Sequence, residues 1–331
     1  MDLSATVKRY SAQIGNDPLL IQAAGGNVSW KEEGTLWIKS SGTWLKDAIK
    51  KEIFIPLDLA KTHFLIAAGE AKFDTATTIE TELRPSIETS LHALLPHKIV
   101  VHVHAVEVIA RAVMQDAKND FACLLKDLNW LWVDYVKPGP NLAQAIHKAT
   151  DGNNLPDILI LGNHGLVVGG NNIEEVNSLL ETVIKRCQII PRHITQINIE
   201  DLDKDKKWQS QGYIIPEDQR LHALALDDTC LEIARNAWVM YPDHAVFLGS
   251  KACFSNKLIF NSSSKPACIL VPGKGVLINA EISQSQYAML QCYLEVALRI
   301  VEPHKISPLT DDQINELLNW EQEKHRQAMS I

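Results

Sequence analysis

The run Ile99–Ala105 is apolar except for His102 and His104, and this pair constrains the fold more than any other feature of the chain. Such a run reads as a buried strand, on which side chains two apart leave the same face. Two imidazoles inside an apolar strand are costly unless each finds a partner. A third histidine, His164, stands far downstream in Asn163-His164-Gly165. A fold that returns the chain so that all three rings meet would satisfy them around one divalent ion. Three nitrogen ligands with an open position are the pattern of a catalytic site, whereas structural zinc sites usually show closely spaced cysteines. Zinc is the expected ion, although manganese, iron or cobalt would also accept nitrogen ligands.

The surrounding sequence alternates helix and strand signals, which predicts an α/β or α+β sheet domain. Two short helices are expected over residues 3–23, broken at Gly15-Asn16-Asp17-Pro18. Strands are expected at Trp37–Lys39, Ile99–Ala105, Trp130–Val136, Ile158–Leu161 and Leu166–Val168. Helices are expected from Ser86 to about Leu95, where Pro96 ends the pattern, and over Val106–Met114, Leu142–Ala149 and Ile173–Ile189. The charged stretch Glu200–Lys207 is the best linker candidate. With 331 residues the chain is long enough for two domains. The expected division is 1–198, carrying the metal site, and 199–331, a smaller α/β region without metal ligands. In the latter a helix is expected over Leu221–Trp238 and strands at Ala245–Leu248, Leu258–Phe260 and Ile269–Val271. Thr310 and Gln313 fit a capping box ahead of a last helix.

Ile158–Gly170 (ILILGNHGLVVGG) resembles Cys268–Ala280 (CILVPGKGVLINA), with Lys274 against His164, and Pro96–Val101 faintly resembles Pro242–Phe247. A degenerate second copy would explain this, as would chance likeness between strand-turn-strand units.

A net charge of -8 provides no basic field for nucleic acid or anionic lipid, so the expected partner is a small molecule. Six cysteines without a C-x-x-C pair suit reduced thiols and a cytoplasmic protein. The first fifteen residues lack the apolar core of a secretory leader, and no apolar run is long enough to span a membrane.

Six motifs then occur in a telling order: Gly25-Gly26-Asn27-Val28-Ser29, Ser40-Ser41-Gly42, Arg84-Pro85-Ser86-Ile87-Glu88, His102-Val103-His104, Tyr135 to Gly139, and Asn163-His164-Gly165. In this the chain resembles the class II aldolase and adducin-head family, of the fuculose-phosphate aldolase type, over about residues 15–190. Pro-Ser-Ile-Glu-Thr, Tyr-Val-Lys-Pro-Gly and Tyr241-Pro242-Asp243-His244 are most similar to the aldolase half of bifunctional rhamnulose-1-phosphate aldolase/alcohol dehydrogenases. No G-x-G-x-x-G dinucleotide fingerprint accompanies them.

The resemblance implies a three-layer αβα domain and a metal-dependent aldolase that cleaves a ketose 1-phosphate, deoxysugar-like, through a metal-bound enediolate. It implies His102, His104 and His164 as metal ligands. Glu88 is implied as the group that moves the proton at the enediolate carbon and as a ligand when substrate is absent. Tyr135 is implied as an acid or base that reaches into a neighbouring subunit's site, hence a homo-oligomer, a tetramer in the family. Gly26, Asn27, Ser41, Gly42 and Ser86 are implied to cradle the phosphate, as glycine-rich nests do. Ile87 departs from the pattern, because a second serine is expected there. Burial is expected to raise the Glu88 pKa. Lys39 and Lys46 read as solvated, His92 as structural, and Lys274 and His244 fall outside the site. The same constellation serves pentulose-phosphate epimerases and sugar-phosphate dehydratases, and a non-catalytic adducin-like interaction module is the alternative of another class.

Overall fold

The computed structural model describes residues 2–150, 155–194, 197–200, 202, 206–255 and 265–321. Its main sheet has seven strands: β1 (Asn27–Glu32), β2 (Thr35–Lys39), β3 (Phe54–Asp58), β4 (Ile99–Val103), β5 (Trp130–Val133), β6 (Ile158–Leu161) and β7 (Gly165–Gly170). Their order is β3-β2-β1-β4-β7-β6-β5, and every pair is antiparallel except β5 with β6. Glu33 and Gly34 join β1 to β2 with φ of 49° and 77°. Positive φ at both central residues is what a type I′ hairpin needs.

β4 occupies the middle of the sheet, which accounts for its apolar composition. Its alternate residues face two layers. Ile99, Val101 and Val103 pack with Val7, Val108, Val176 and Val183, which lie on helices Leu3–Gly15, Val106–Ala112 and Ile173–Cys187. Val100 packs on the opposite face with Leu91, Leu142 and Ile146, from helices Thr89–Leu94 and Pro140–Ala149. Each fully buried aliphatic side chain of β4 contributes about 1.5–3 kcal/mol relative to exposure. By the period of two, His102 leaves the face of Val100.

The C-terminal region carries a small antiparallel sheet of β8 (Tyr213–Ile214), β9 (Cys268–Val271) and β10 (Gly275–Asn279), ordered β8-β10-β9. Its helices Asp228–Asn236, Pro242–Leu248, Gln284–Arg299 and Asp311–Leu318 form the largest apolar cluster together with Val106, Ile109 and Val113 of the main domain. Residues from both sides of position 198 therefore share one core. A buried ion pair, Arg299 Nε to Glu107 Oε1 at 2.9 Å, lies on that seam.

Several expectations are corrected. Ala245–Leu248 is helical, because Pro242 opens a helix and all four residues are buried within it. A run that is apolar all round has no period to distinguish strand from buried helix. Leu221–Trp238 is not one helix, since Asp227 is extended and its carboxylate accepts from Cys230 N–H, starting a new helix. The second short helix before residue 23 is only a turn, and β5 ends at Val133. Leu258–Phe260 and part of the Glu200–Lys207 stretch lie outside the described residues. The paired segments Ile158–Gly170 and Cys268–Ala280 both form hairpins followed by a helix. Pro96–Val101 and Pro242–Phe247 do not match, the first leading into β4 and the second being helical.

Candidate metal centre and active site

His102 and His104 converge from the end of β4, and His164 enters from the turn between β6 and β7. The two β4 rings approach to 3.1 Å between their Nε2 atoms. One ligand nitrogen from each of the three histidines lies within 4.8 Å of the others. All three rings are buried.

The sequence folds this way for local reasons. Asn163 adopts φ of 48°, a conformation asparagine tolerates better than most residues. Its amide Nδ2 donates to Met240 O at 2.9 Å and Ser307 O at 2.7 Å, tying the turn to the C-terminal region. Gly165 permits β7 to approach β4, because a Cβ there would stand 2.5 Å from Val103 O and 3.3 Å from His102 Cε1. His102 Nδ1 donates to Leu166 O at 3.1 Å, which leaves its Nε2 lone pair facing inward.

Glu88 completes the group from the start of helix Thr89–Leu94. Its Oε1 lies 3.6 Å from His102 Nε2 and 3.5 Å from His164 Nε2. Asn27 Nδ2 donates to Oε2 at 2.5 Å, and Glu88 N–H donates to Ser86 Oγ at 3.2 Å. Oε1 is buried with no hydrogen-bond partner among the described residues. Burial alone would push this carboxyl up, as expected from the sequence. His102, His164, His104 and His92 outweigh burial and hold it at about 2. Burial pushes His102 down to about 4 and His164 to about 3, the Glu88 charge opposing it in both. Glu88 ionised beside neutral imidazoles is the resulting state. Neutral nitrogens converging on a buried carboxylate oxygen that lacks a hydrogen bond fit a divalent transition metal.

Gly26, Asn27, Ser41, Gly42 and Ser86 all line one cleft with Glu88, His104 and His164. Gly26 has φ of 63°, and a Cβ there would stand 2.8 Å from His102 O. Ile87 lines the cleft too and can donate no hydrogen bond from its side chain. Tyr135 is half-buried against the C-terminal apolar cluster and is not part of this cleft's lining. His92 is buried beside Ser29, 2.8 Å from Nδ1 to Oγ.

Two residues of the site were missed. Lys39, read as solvated, is only 1% exposed and lines the cleft, its Nζ donating to Ala24 O at 2.9 Å and Gly26 O at 3.0 Å. Its neighbours in sequence gave no sign, because those carbonyls come from another loop. Lys46 does lie apart, 4.0 Å from the Trp44 ring centroid. Asp243 is 1% exposed and also lines the cleft, with Oδ2 3.2 Å from His104 Nδ1 though off the line of its N–H. Tyr241-Pro242-Asp243-His244 was the one signal available for it.

Residues 11–190 match the Class II Aldolase and Adducin N-terminal domain. The chain belongs to the class II aldolase and adducin family. A class II aldolase domain from a conserved protein of Thermoplasma acidophilum is 25% identical with a TM-score of 0.49, covering 56% of this chain and 92% of that one. The L-fuculose-1-phosphate aldolase of Thermus thermophilus is 17% identical with a TM-score of 0.39, covering 64% and 98%. YuxG of Bacillus subtilis strain 168, named an uncharacterized oxidoreductase, is 28% identical over 232 residues, 64% of this chain. The chain spans about a third of that relative, 32% of its length. No helix among the described residues is long and apolar enough to cross a membrane.

Proposed function

We propose that the protein is a divalent-metal-dependent aldolase acting on a ketose 1-phosphate, with zinc as the metal and a deoxysugar-like substrate. The observation that carries this reading is the meeting of three buried histidines, two of them within 3.6 Å of Glu88 Oε1, inside a cleft lined by small hydrogen-bond donors and a buried lysine. His102, His104 and His164 would hold the ion, and a bound divalent cation supplies Lewis acidity toward negative charge developing beside the ketone.

Glu88 then moves the proton at the carbon next to the carbonyl. Asn27 fixes its Oε2, so that Oε1 is the atom left to act. The backbone at 26, 42 and 86 and the Ser41 hydroxyl would offer close donors to a phosphate, the Ser41 N–H being taken by Arg84 O at 2.9 Å. Lys39 adds positive charge at the same cleft. Tyr135 serves the aldehyde-side hydroxyl of a neighbouring subunit's substrate, which requires a homo-oligomer and, by the family pattern, a tetramer. The free thiols suit a cytoplasmic enzyme of carbohydrate metabolism. The chain would correspond to an aldolase half, and its match to one third of a longer relative supports that reading.

A panel of ketose 1-phosphates with product identification tests this, using wild type and Glu88→Gln. The variant is expected to retain its metal and lose cleavage by roughly a hundredfold or more. Unchanged turnover would reject Glu88 as the proton carrier, and products with the carbon skeleton intact would assign an epimerase or dehydratase instead.

A further inference from the structure

We propose that Asp243, which lies outside the family-matched residues 11–190, is a positioning residue for the metal ligand His104. The proposal rests on the metal-centre reading above. Asp243 stands on the wall that the C-terminal region presents to the cleft, where Pro242 and Asp243 both face the cavity. Its carboxylate is withdrawn almost completely from water, and a carboxylate is costly to bury unless something local uses its charge.

One such neighbour is His104. Asp243 Oδ2 lies 3.2 Å from Nδ1, on the ring edge opposite the Nε2 that approaches His102. A carboxylate there favours the tautomer with the proton on Nδ1, which turns the Nε2 lone pair toward the other two histidines. His102 is held in the same sense by Leu166 O. Space at this point is reserved for the pair: a Cβ on Gly25 would stand 2.8 Å from His104 Nδ1 and 3.1 Å from Asp243 Oδ2. The same wall steadies the third ligand, because Met240 O and Ser307 O receive the Asn163 amide beside His164. The C-terminal region thus bears on two of the three ligands through named contacts, without supplying a ligand itself.

Zinc alone is the probe. Metal-stripped wild type, Asp243→Asn, Asp243→Ser and His102→Ala are titrated against a competing chelator, and the melting temperature of each metal-free protein is recorded. Both Asp243 variants are expected to bind zinc roughly ten- to hundredfold more weakly than wild type. Their metal-free melting temperatures should stay near that of wild type, since the proposed role of Asp243 is exerted on the metal ligand and not on the fold. Wild-type zinc affinity in Asp243→Asn would overturn the proposal. So would a fall in metal-free melting temperature that tracks the loss of affinity in both variants, which would make the residue structural. If wild type and His102→Ala bind zinc equally poorly, the metal reading itself fails, and the positioning role falls with it.

Discussion

Acidifying the metal-free protein is expected to unfold it over a narrow range of pH. His92, His102, His164 and His244 are fully buried, and burial pushes His102 down to about 4 and the other three to about 3. In the unfolded chain the same rings titrate near about 6.5. Above that value each ring is neutral in both states, and the folded state loses nothing. Below it the unfolded chain takes up protons that the folded chain refuses, so stability falls as pH drops toward the folded values. At pH 5 each ring has cost about 2 kcal/mol by this linkage, and the four together about 8 kcal/mol. That compares with a typical total stability of about 5–15 kcal/mol.

Glu88 acts in the same direction at lower pH. Although burial alone would raise its carboxyl, the histidines hold it at about 2 in the folded state, below the ordinary 4.5. Its contribution is complete above the unfolded value and is lost as pH falls through the folded one. Urea unfolding of chelator-treated protein at pH steps from 7.5 to 4.5 measures the effect. The expected slope between pH 6 and 4.5 approaches about 5 kcal/mol per pH unit, with uptake of about four protons on unfolding. Stability that stays level from pH 6.5 to 5, or uptake of one proton or fewer, would refute the claim that these rings are folded in neutral.

Lys39→Met is expected to raise KM for a phosphorylated ketose by roughly ten- to hundredfold, the range for hydrogen bonds to charged groups, while a substrate without phosphate is affected far less. Steady-state kinetics on the two substrates decide it, and equal losses on both would remove Lys39 from phosphate recognition. Gly165→Ala is expected to destabilise the fold by about 1–3 kcal/mol, because its Cβ would meet Val103 O at 2.5 Å. It should also weaken zinc binding through His102, and a wild-type melting temperature and zinc titration would show that β7 can shift freely.

The parts of this fold that were legible in the sequence are those fixed by neighbours along the chain. Apolar residues around His102 and His104 specified a buried strand, and alternation specified the shared face of Val100 and His102. Thr310 and Gln313 form the capping box that their spacing predicts, starting helix Asp311–Leu318. The five small or polar residues assigned to a phosphate cradle come together in one cleft with Glu88. What stayed hidden depends on contacts between distant segments. Lys39 is the last residue of a strand and looks exposed until the carbonyls of Ala24 and Gly26 are brought over it. Asp243 has no characteristic spacing from His102, His104 or His164, and its segment gave no reliable period because it is buried on every side. The pKa of Glu88 was misjudged for the same reason, since burial was visible in the sequence pattern and the encircling imidazoles were not.

The two similar hairpins show why local sequence alone does not make a site. β6–β7 and β9–β10 have the same antiparallel pairing, and both place a glycine at the start of the second strand against a buried histidine. A Cβ on Gly165 would meet His102, and one on Gly275 would meet His222 Nδ1 at 2.6 Å. The difference lies in what each histidine has left to offer. His102 uses Nδ1 on a backbone carbonyl and keeps Nε2 for its neighbours, whereas His222 Nδ1 accepts Val276 N–H at 3.0 Å. At the turn, His164 points into a buried cluster, while its counterpart Lys274 is exposed. β7 pairs with β4 and so meets His102 and His104, but β10 pairs with β8, whose Tyr213 and Ile214 carry no metal ligand. Chemistry follows the strand that lies alongside, so a hairpin repeated without a partner like β4 keeps its shape and contributes packing.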